Sequence, residues 1–231
     1  MCSIILRTGA DGVLVGANRD EMVARNWEGP AEYWPGLIGG RDILGGGTWM
    51  ALNRHGVMAA VLNRHGSLGP APGKRSRGEL PLLALGETSA QAAAERVSRL
   101  DAGAYRSFNL VLADLDGAFL LRGLERGAPL SQKLAPGTVM LTSGEPNDTS
   151  LPRIARHLPK FTAADFAQWG DLLADRSPPW ESSLNIPERD GFGTVCSSLL
   201  RLNPSEDPQW WFAAGPPHMA PFAAVPLWGP D

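Results

Sequence analysis

Apolar and polar positions follow each other along this chain in short blocks, most of them too short for a long helix. Aliphatic and β-branched runs are bounded by turns that contain glycine, asparagine or aspartate, a pattern that predicts β-hairpins. The predicted strands pair as 3–6 with 13–17, 48–52 with 57–62, and 108–113 with 118–121. Further strands are predicted at 138–142, 193–202 and 209–213.

Helical patterns occupy the segments between these strands. Residues 90–100 are rich in alanine and follow Ser89 or Thr88, either of which suits an N-cap. A shorter helix is predicted to begin near Ser76, with Glu79 at the capping-box position. Two more helices are predicted, at 152–158 and at 162–174, the latter with Thr162 as its cap.

The order of the predicted elements is strands, helices, strands, helices, strands. Segments 22–34 and 37–47 are rich in proline or glycine and are predicted to form loops and tight turns. Because hairpins dominate and no βαβ alternation appears, we predict an α+β fold of antiparallel sheets with helices packed outside. No linker composition interrupts the chain, so a single domain over residues 1–231 is expected.

Composition describes an ordinary globular protein. The chain has 231 residues, 43% hydrophobic and 19% charged, with a net charge of −3. The mild negative charge gives no reason to expect a nucleic-acid partner. No apolar run approaches the roughly 18 residues of a membrane span, and no secretory signal is visible. The expected compartment is therefore the cytoplasm, and the oligomeric state is left open.

The first 21 residues carry the candidate chemistry. Cys2 follows the initiator methionine, and Asn18-Arg19-Asp20-Glu21 closes the second apolar run. If the hairpin turn centres between Ala10 and Asp11, Cys2 lies opposite Arg19. If the turn centres one residue later, Cys2 lies opposite Glu21. Either register brings the cysteine to the polar cluster.

Other reactive residue types suggest little chemistry. Cys196, the second of two cysteines, stands in an apolar strand and is predicted to be core. His55 and His65 end turns without a carboxylate or cysteine at ligand spacing, so no metal site is predicted. No cofactor is predicted.

Four motifs in this order resemble the NRDE family, which includes the transport and Golgi organisation protein 2 homologues. They are Cys2, Asn18-Arg19-Asp20-Glu21, Gly46-Gly47-Thr48-Trp49 and Ser76-Arg77-Gly78-Glu79. That family is similar to the cysteine-dependent N-terminal-nucleophile hydrolases, such as penicillin V acylase and bile salt hydrolase. The resemblance implies a four-layer αββα sandwich of two antiparallel sheets, and it agrees with the layered α+β fold predicted above.

The resemblance also implies site residues. Cys2, exposed by removal of Met1, would be the nucleophile, with its own α-amino group as base. Asp20 would hold that amino group with help from Arg19, and Asn63 would stabilise the oxyanion. Substrate contacts are expected from four further residues: Asn18, Glu21, Trp49 and Ser143.

Three positions depart from the hydrolase pattern. Ala17 stands where the neighbouring arginine is expected, so Arg19 could replace that arginine only from a different pleat position. Ser143 stands where a second oxyanion asparagine is expected, and Val195 stands where a late arginine is expected. The first hypothesis is an amidohydrolase for non-peptide C–N bonds of a small molecule. The alternative, which the departures favour, is a carrier of haem, acyl-CoA or lipid that has kept the hydrolase scaffold without its chemistry. The sequence does not name the substrate or ligand.

Overall fold

The computed structural model of the protein describes residues 2–228, which form two antiparallel sheets and four α-helices. The strands are β1 (Ser3–Gly9), β2 (Gly12–Met22), β3 (Trp27–Trp34), β4 (Leu37–Asp42), β5 (Met50–Asn53), β6 (Met58–Asn63), β7 (Phe108–Asp114), β8 (Gly117–Gly123), β9 (Leu130–Leu134), β10 (Gly137–Leu141), β11 (Phe192–Asn203), β12 (Glu206–Ala213) and β13 (Ala223–Ala224). The helices are α1 (Glu79–Ala84), α2 (Ala90–Val97), α3 (Pro152–Ala163) and α4 (Trp169–Leu173).

Contacts within the chain group these elements into two units. The first unit contains residues 2–25 and 136–226, and its sheet has the strand order β10-β1-β2-β11-β12-β13. The second contains residues 26–135 and 227–228, with the order β3-β4-β5-β6-β7-β8-β9. Every pairing is antiparallel, as the hairpin pattern predicted. The expectation of one domain stays a prediction.

In the first unit, α3 and α4 cover one face of the sheet. Pro152 begins α3, where its missing N–H costs nothing, and the buried face of the helix includes Ile154 and Phe161. The ring of Phe161 meets that of Trp169 edge-on at 5.0 Å. This aromatic pair lies in a cluster with residues of the sheet, so it fixes the position of the helix layer on β1 and β2.

In the second unit, α1 and α2 pack on the seven-stranded sheet. Ser89 caps α2 by accepting a hydrogen bond from Ala92 N, as predicted. The predicted cap of α1 is wrong: Gly78 is the N-cap residue and gives no side-chain hydrogen bond, while Ser76 accepts from Gly78 N at 3.3 Å. The helix therefore begins at Glu79, three residues after the predicted cap.

The loops predicted at 22–34 and 37–47 are wrong in part, because β3 and β4 occupy most of both segments. Pro30 fits because β3 is an edge strand, whose outward N–H groups need no partner. Gly39 and Gly40 serve close packing: a Cβ on Gly39 would lie 2.6 Å from Ala51 Cβ, and one on Gly40 would lie 2.1 Å from the Trp49 ring.

One further strand and one further helix differ from the prediction. The exposed strand β9 was missed because four of its five residues are exposed and give no apolar run. The predicted helix at 162–174 is shorter, since Thr162 lies inside α3 and α4 begins only at Trp169. Asp165, with the Gln168 side chain, forms the capping box that precedes α4.

None of the helices in residues 2–228 is long and apolar enough to cross a membrane.

Candidate functional site

The first hairpin brings Cys2 to the polar cluster. Ser3 pairs with Asn18 and Gly9 with Gly12, which is the register centred between Ala10 and Asp11. Continuing it by one residue sets Cys2 level with Arg19, the first of the two predicted alternatives. The half-buried Cys2 thiol donates to the carbonyl oxygen of Asp20 over 3.8 Å. The turn chemistry of the hairpin therefore determines where the thiol lies.

Neighbouring strands extend this arrangement into a row across the sheet. On one side, Ile4 pairs with Leu141, and the same register brings Ser143 level with Cys2. On the other side, Cys196 pairs with Arg19. Paired residues in an antiparallel sheet point to the same face. We therefore expect Ser143, Cys2, Arg19 and Cys196 to share one face, in that order.

Asp20 lies on the opposite face of β2, which the helices cover. Its side chain is 0% exposed. One carboxylate oxygen accepts from the Thr194 hydroxyl at 2.6 Å, and the other accepts from Arg153 Nη1 at 3.3 Å. Arg153 Nη1 also donates to the Ser3 hydroxyl at 3.1 Å. The residue that the resemblance assigns to hold the nucleophile's amino group is thus anchored by a helix and by β11.

Electrostatics follow from this burial. Burial raises the pKa of Asp20, while Arg153 and the Thr194 hydrogen bond act to lower it. Burial also raises the pKa of the Cys2 thiol, as does the Asp20 charge, against a smaller lowering by Arg19. A thiol with a raised pKa is protonated near neutral pH, so Cys2 needs a base before it can attack a carbonyl carbon.

Cys196 is a packing residue, as its apolar context indicated. It is 1% exposed, and burial raises its pKa well above that of an ordinary thiol. β11 bulges between Thr194 and Cys196, so Val195 is the extra residue. Arg19 separates the two cysteines by two strand spacings, about 9.6 Å, which exceeds the roughly 7 Å limit for a disulfide. Both thiols are free.

Asn18 and Glu21 make contacts of different kinds. The Asn18 amide donates to the carbonyl oxygens of Leu173 and Leu184 at 2.9 and 3.0 Å, and its oxygen accepts from Ser197 at 2.5 Å. These bonds tie β2 to the covering segments and favour a structural role over the predicted substrate contact. Glu21 is partly exposed and lies 3.6 Å from Arg19 and 3.7 Å from Arg25.

Ser143 stands where the hydrolases have a second asparagine that stabilises the oxyanion, and the loop after it contains Asn147. Ser143 is 4% exposed and lies two residues beyond the end of β10. Asn147 is committed elsewhere: its side-chain oxygen accepts from Met140 N at 2.7 Å, and its amide donates to Thr138 O at 3.2 Å. Asn147 therefore closes the end of β10, which leaves Ser143 as the candidate donor in this loop.

The remaining predicted site residues, Asn63 and Trp49, belong to the second unit. Asn63 is the half-buried last residue of β6, where it pairs with Phe108. Trp49 is half-buried, and its ring meets Trp27 edge-on at 6.0 Å. Their predicted roles in oxyanion stabilisation and substrate contact stay predictions. Within residues 2–228 there is no group of three His, Cys, Asp or Glu residues that could hold a metal ion.

Sequence reasoning missed Arg153 and underused Thr194. The signal for Arg153 was a charged residue on the apolar face of a helix, where Arg153 and His157 stand one turn apart beside Ile154 and Phe161. Buried arginines are rare unless paired, so this position pointed to an acidic partner. Thr194 stands in the predicted strand 193–202 and carried no assigned role.

Several solved structures have a similar fold. An ortholog of N-acylethanolamine-hydrolyzing acid amidase from Caenorhabditis elegans aligns with a TM-score of 0.60 and 14% identity over 87% of this chain and 92% of that chain. Penicillin V acylase from Agrobacterium tumefaciens gives 0.55 and 12% over 93% and 83%. A mutant conjugated bile acid hydrolase from Clostridium perfringens gives 0.57 and 11% over 98% and 92%.

At such identities these likenesses show the fold alone, and they confirm the predicted α+β fold of the N-terminal-nucleophile hydrolases. The sequence model of the family described as Transport and Golgi organisation 2 matches residues 1–175. No curated protein matches the sequence of this chain.

Proposed function

The chain belongs to the Transport and Golgi organisation 2 family, and from the surroundings of Cys2 we propose that it is an amidohydrolase. Its substrate is a small molecule with a C–N amide bond outside a peptide, and its proposed compartment is the cytoplasm. The observation that supports this most is the hairpin register, which sets Cys2 level with Arg19 and its thiol 3.8 Å from the backbone carbonyl oxygen of Asp20.

The proposed reaction uses one residue for two tasks. After removal of Met1, the α-amino group of Cys2 accepts the thiol proton, and the sulfur attacks the amide carbonyl carbon. The C–N bond breaks, the leaving amine takes the proton back from the α-ammonium group, and a thioester remains on Cys2. Water, deprotonated by the same amine, then attacks the thioester and releases a carboxylic acid and the free thiol.

Other residues have supporting roles in this proposal. Asp20 orients the α-amino group, and Arg19, level with Cys2 in the row, lowers the pKa of the thiol and attracts a substrate carboxylate. Ser143 donates its hydroxyl to the developing oxyanion in place of an asparagine. The family resemblance assigns Asn63 to the same task, and an Asn63→Ala variant tests that assignment by a loss of turnover.

The test is to follow the N-terminus and the acyl adduct in the same preparation. The protein is co-produced with methionine aminopeptidase, its intact mass is recorded, and a panel of N-acyl amides is screened for amine release. We expect loss of Met1, a transient acyl adduct on the Cys2 peptide, and no turnover in Cys2→Ala. The matched control Cys196→Ala should keep turnover, because that thiol is buried in the sheet. Turnover by protein that retains Met1 would overturn the proposal.

Carriage without catalysis is the second candidate, because Val195 and Ser143 stand where hydrolases hold catalytic partners. Haem, acyl-CoA or lipid would be the cargo. Titration with haemin and with an acyl-CoA separates the two functions. Micromolar binding that is equal with and without Met1, in the absence of any amine release, would support carriage. Absence of binding at tens of micromolar ligand would contradict the carrier function.

A further inference from the structure

The Thr194 hydroxyl has a fixed direction. Its oxygen accepts from the backbone N–H of Ile186 at 2.7 Å, and an N–H group can only donate. The single hydroxyl hydrogen is therefore left for Asp20 Oδ1, which lies 2.6 Å away. Thr194 N in turn donates to Ile186 O at 3.1 Å, so the threonine is held on both sides. Asp20 Oδ1 must act as an acceptor.

The second carboxylate oxygen meets a permanent cation. Arg153 Nη1 lies 3.3 Å from Asp20 Oδ2, and a guanidinium group donates only. Both oxygens of Asp20 thus accept hydrogen bonds, and donors to both oxygens favour the charged form of the carboxyl group over the protonated form. Arg153 is 6% exposed and reaches this position from the first turn of α3, while its Nη1 also donates to the Ser3 hydroxyl beside Cys2.

We propose that Arg153 and Thr194 are positioning residues that hold Asp20 as a carboxylate, so that Asp20 can orient the α-amino group of residue 2 for proton transfer. This inference rests on the proposed function, since it gives Asp20 an amine to orient. It adds the two groups that keep the orienting residue charged although its side chain has no contact with solvent.

The charges around Asp20 explain why an arginine is needed. Isolated in an apolar site, a carboxyl group takes up a proton rather than remain charged. The groups that face it are Arg153 from α3, Thr194 from β11 and the Cys2 segment, with Arg19 on the other face of β2. Arg153 also balances the negative charge, so that the nearby amine is not locked as an ammonium ion and can serve as a base near neutral pH.

A purely structural role explains the pair less well. Buried ion pairs are often no more stabilising than apolar side chains of the same volume. Asn18, two residues earlier on the same face, ties β2 to the covering segments with uncharged hydrogen bonds. A charged pair at position 20 is therefore informative, because packing alone does not require a charge there.

The first test measures the charge on Asp20 directly and needs no substrate. Protein with ¹³C-labelled aspartate side chains is titrated by NMR, and the Asp20 signal is assigned with Asp20→Asn. We expect Asp20 to be ionised at neutral pH, with a pKa above that of an ordinary aspartate because burial raises it. In Arg153→Met its apparent pKa should rise by about 1–3 units, the usual effect of removing an adjacent opposite charge. Arg153→Lys should restore most of the shift.

The matched control is Arg156→Met. Arg156 lies on the same helix, but it donates to the Ser177 and Pro178 carbonyls and the Ser182 hydroxyl instead of Asp20. The control should leave the Asp20 titration unchanged. If Arg153→Met does not fold, the same titration is done with Thr194→Val, which lacks the hydroxyl. Thr194→Ser keeps the hydroxyl and should restore the apparent pKa of Asp20. An Asp20 titration that is the same in wild type and in a folded Arg153→Met or Thr194→Val variant would overturn the proposal.

The second readout links the charge to reactivity. The rate of Cys2 alkylation by iodoacetamide is measured against pH in protein lacking Met1. We expect the acid limb of the profile to move in Arg153→Met by at least one pH unit and to return in Arg153→Lys, which a loss of packing alone would not produce. If wild type shows no turnover, the proposed function fails, while the NMR titration still decides whether Arg153 and Thr194 keep Asp20 charged.

Discussion

The two faces of β2 hold polar residues in different ways. On the face covered by α3 and α4, Asn18 and Asp20 make hydrogen bonds of 2.5 to 3.3 Å to side chains and carbonyl groups far along the chain. On the other face, Arg19 lies 3.6 Å from Glu21, and the Cys2 thiol lies 3.8 Å from a carbonyl oxygen. One face fixes positions tightly, while the other leaves a thiol loosely held.

The two faces of β2 therefore have different roles, one in stability and the other in chemistry. Buried polar groups must have partners, so residues on the covered face cannot be changed without cost to the fold. Arg19 and Ser143, which are level with the thiol, are buried as well, at 5% and 4% exposure, but we expect their identity to follow chemistry. We therefore expect substitutions on the covered face to reduce stability first, and substitutions on the thiol face to reduce activity first.

The largest effect is expected for Asp20→Asn. Removing one partner of a buried pair leaves Arg153 without a counter-charge, so we expect the free energy of unfolding to fall by about 3–5 kcal/mol. Urea denaturation measures this. The matched control is Asp11→Asn in the exposed hairpin turn, which should stay within about 0.5 kcal/mol of wild type. Equal urea midpoints for Asp20→Asn and Asp11→Asn would show that the buried carboxylate adds no stability, which contradicts the proposed difference between the faces.

Ser143→Ala should act on turnover instead. Removal of an oxyanion donor lowers kcat by about 10²- to 10³-fold in known systems, and we expect a loss of about 10²-fold here. The measurement is kcat for the best amide found in the screen, with Ser205→Ala in an exposed turn as control. A Ser143→Ala enzyme with wild-type kcat would show that the hydroxyl takes no part.

His157 should make stability depend on pH. It is buried on α3, where Nε2 is 2.8 Å from Ser182 O, and burial lowers its pKa to about 4. The unfolded chain, with a pKa near 6.5, binds the proton more readily below that pH. The stabilisation is thus complete above about pH 6.5 and is lost as the pH falls through about 4, with a slope of at most ~1.4 kcal/mol per pH unit.

His157→Gln should remove this part of the slope. Urea denaturation of wild type and variant at pH 7, 6 and 5 gives the difference, in which the other acidic groups cancel. Parallel pH curves for the two proteins would mean that the pKa of His157 is the same in the folded and the unfolded chain, so that the covered face accepts a charge there without cost.

The smallest effect on stability is expected for Cys2→Ala. Cys2 is half-buried outside the strand ladder, so the free energy of unfolding should change by less than about 0.5 kcal/mol while turnover disappears. Asp20→Asn should lower stability strongly, whereas Cys2→Ala should abolish turnover at nearly unchanged stability. A loss of several kcal/mol would make Cys2 a structural residue.

Local pattern was enough to predict much of the fold. Turn residues between apolar runs predicted the hairpins of β1 with β2, β5 with β6, and β7 with β8, because these pairings are set within a few residues. The sequence left two registers open for the first hairpin, and the structure selects the one with the turn centred between Ala10 and Asp11. The edge strands β3 and β9 were missed, since an exposed edge does not need an apolar run.

The candidate site divides along the same line. Cys2 and the Asn18-Arg19-Asp20-Glu21 cluster stand in one hairpin, so the sequence by itself determined that the thiol meets them. Arg153 and Thr194 lie 133 and 174 residues from Asp20, and no local pattern relates them to it. Only the packing of α3 on the sheet and the pairing of β11 with β2 decided that a buried carboxylate has these partners, because long-range contacts depend on the whole core.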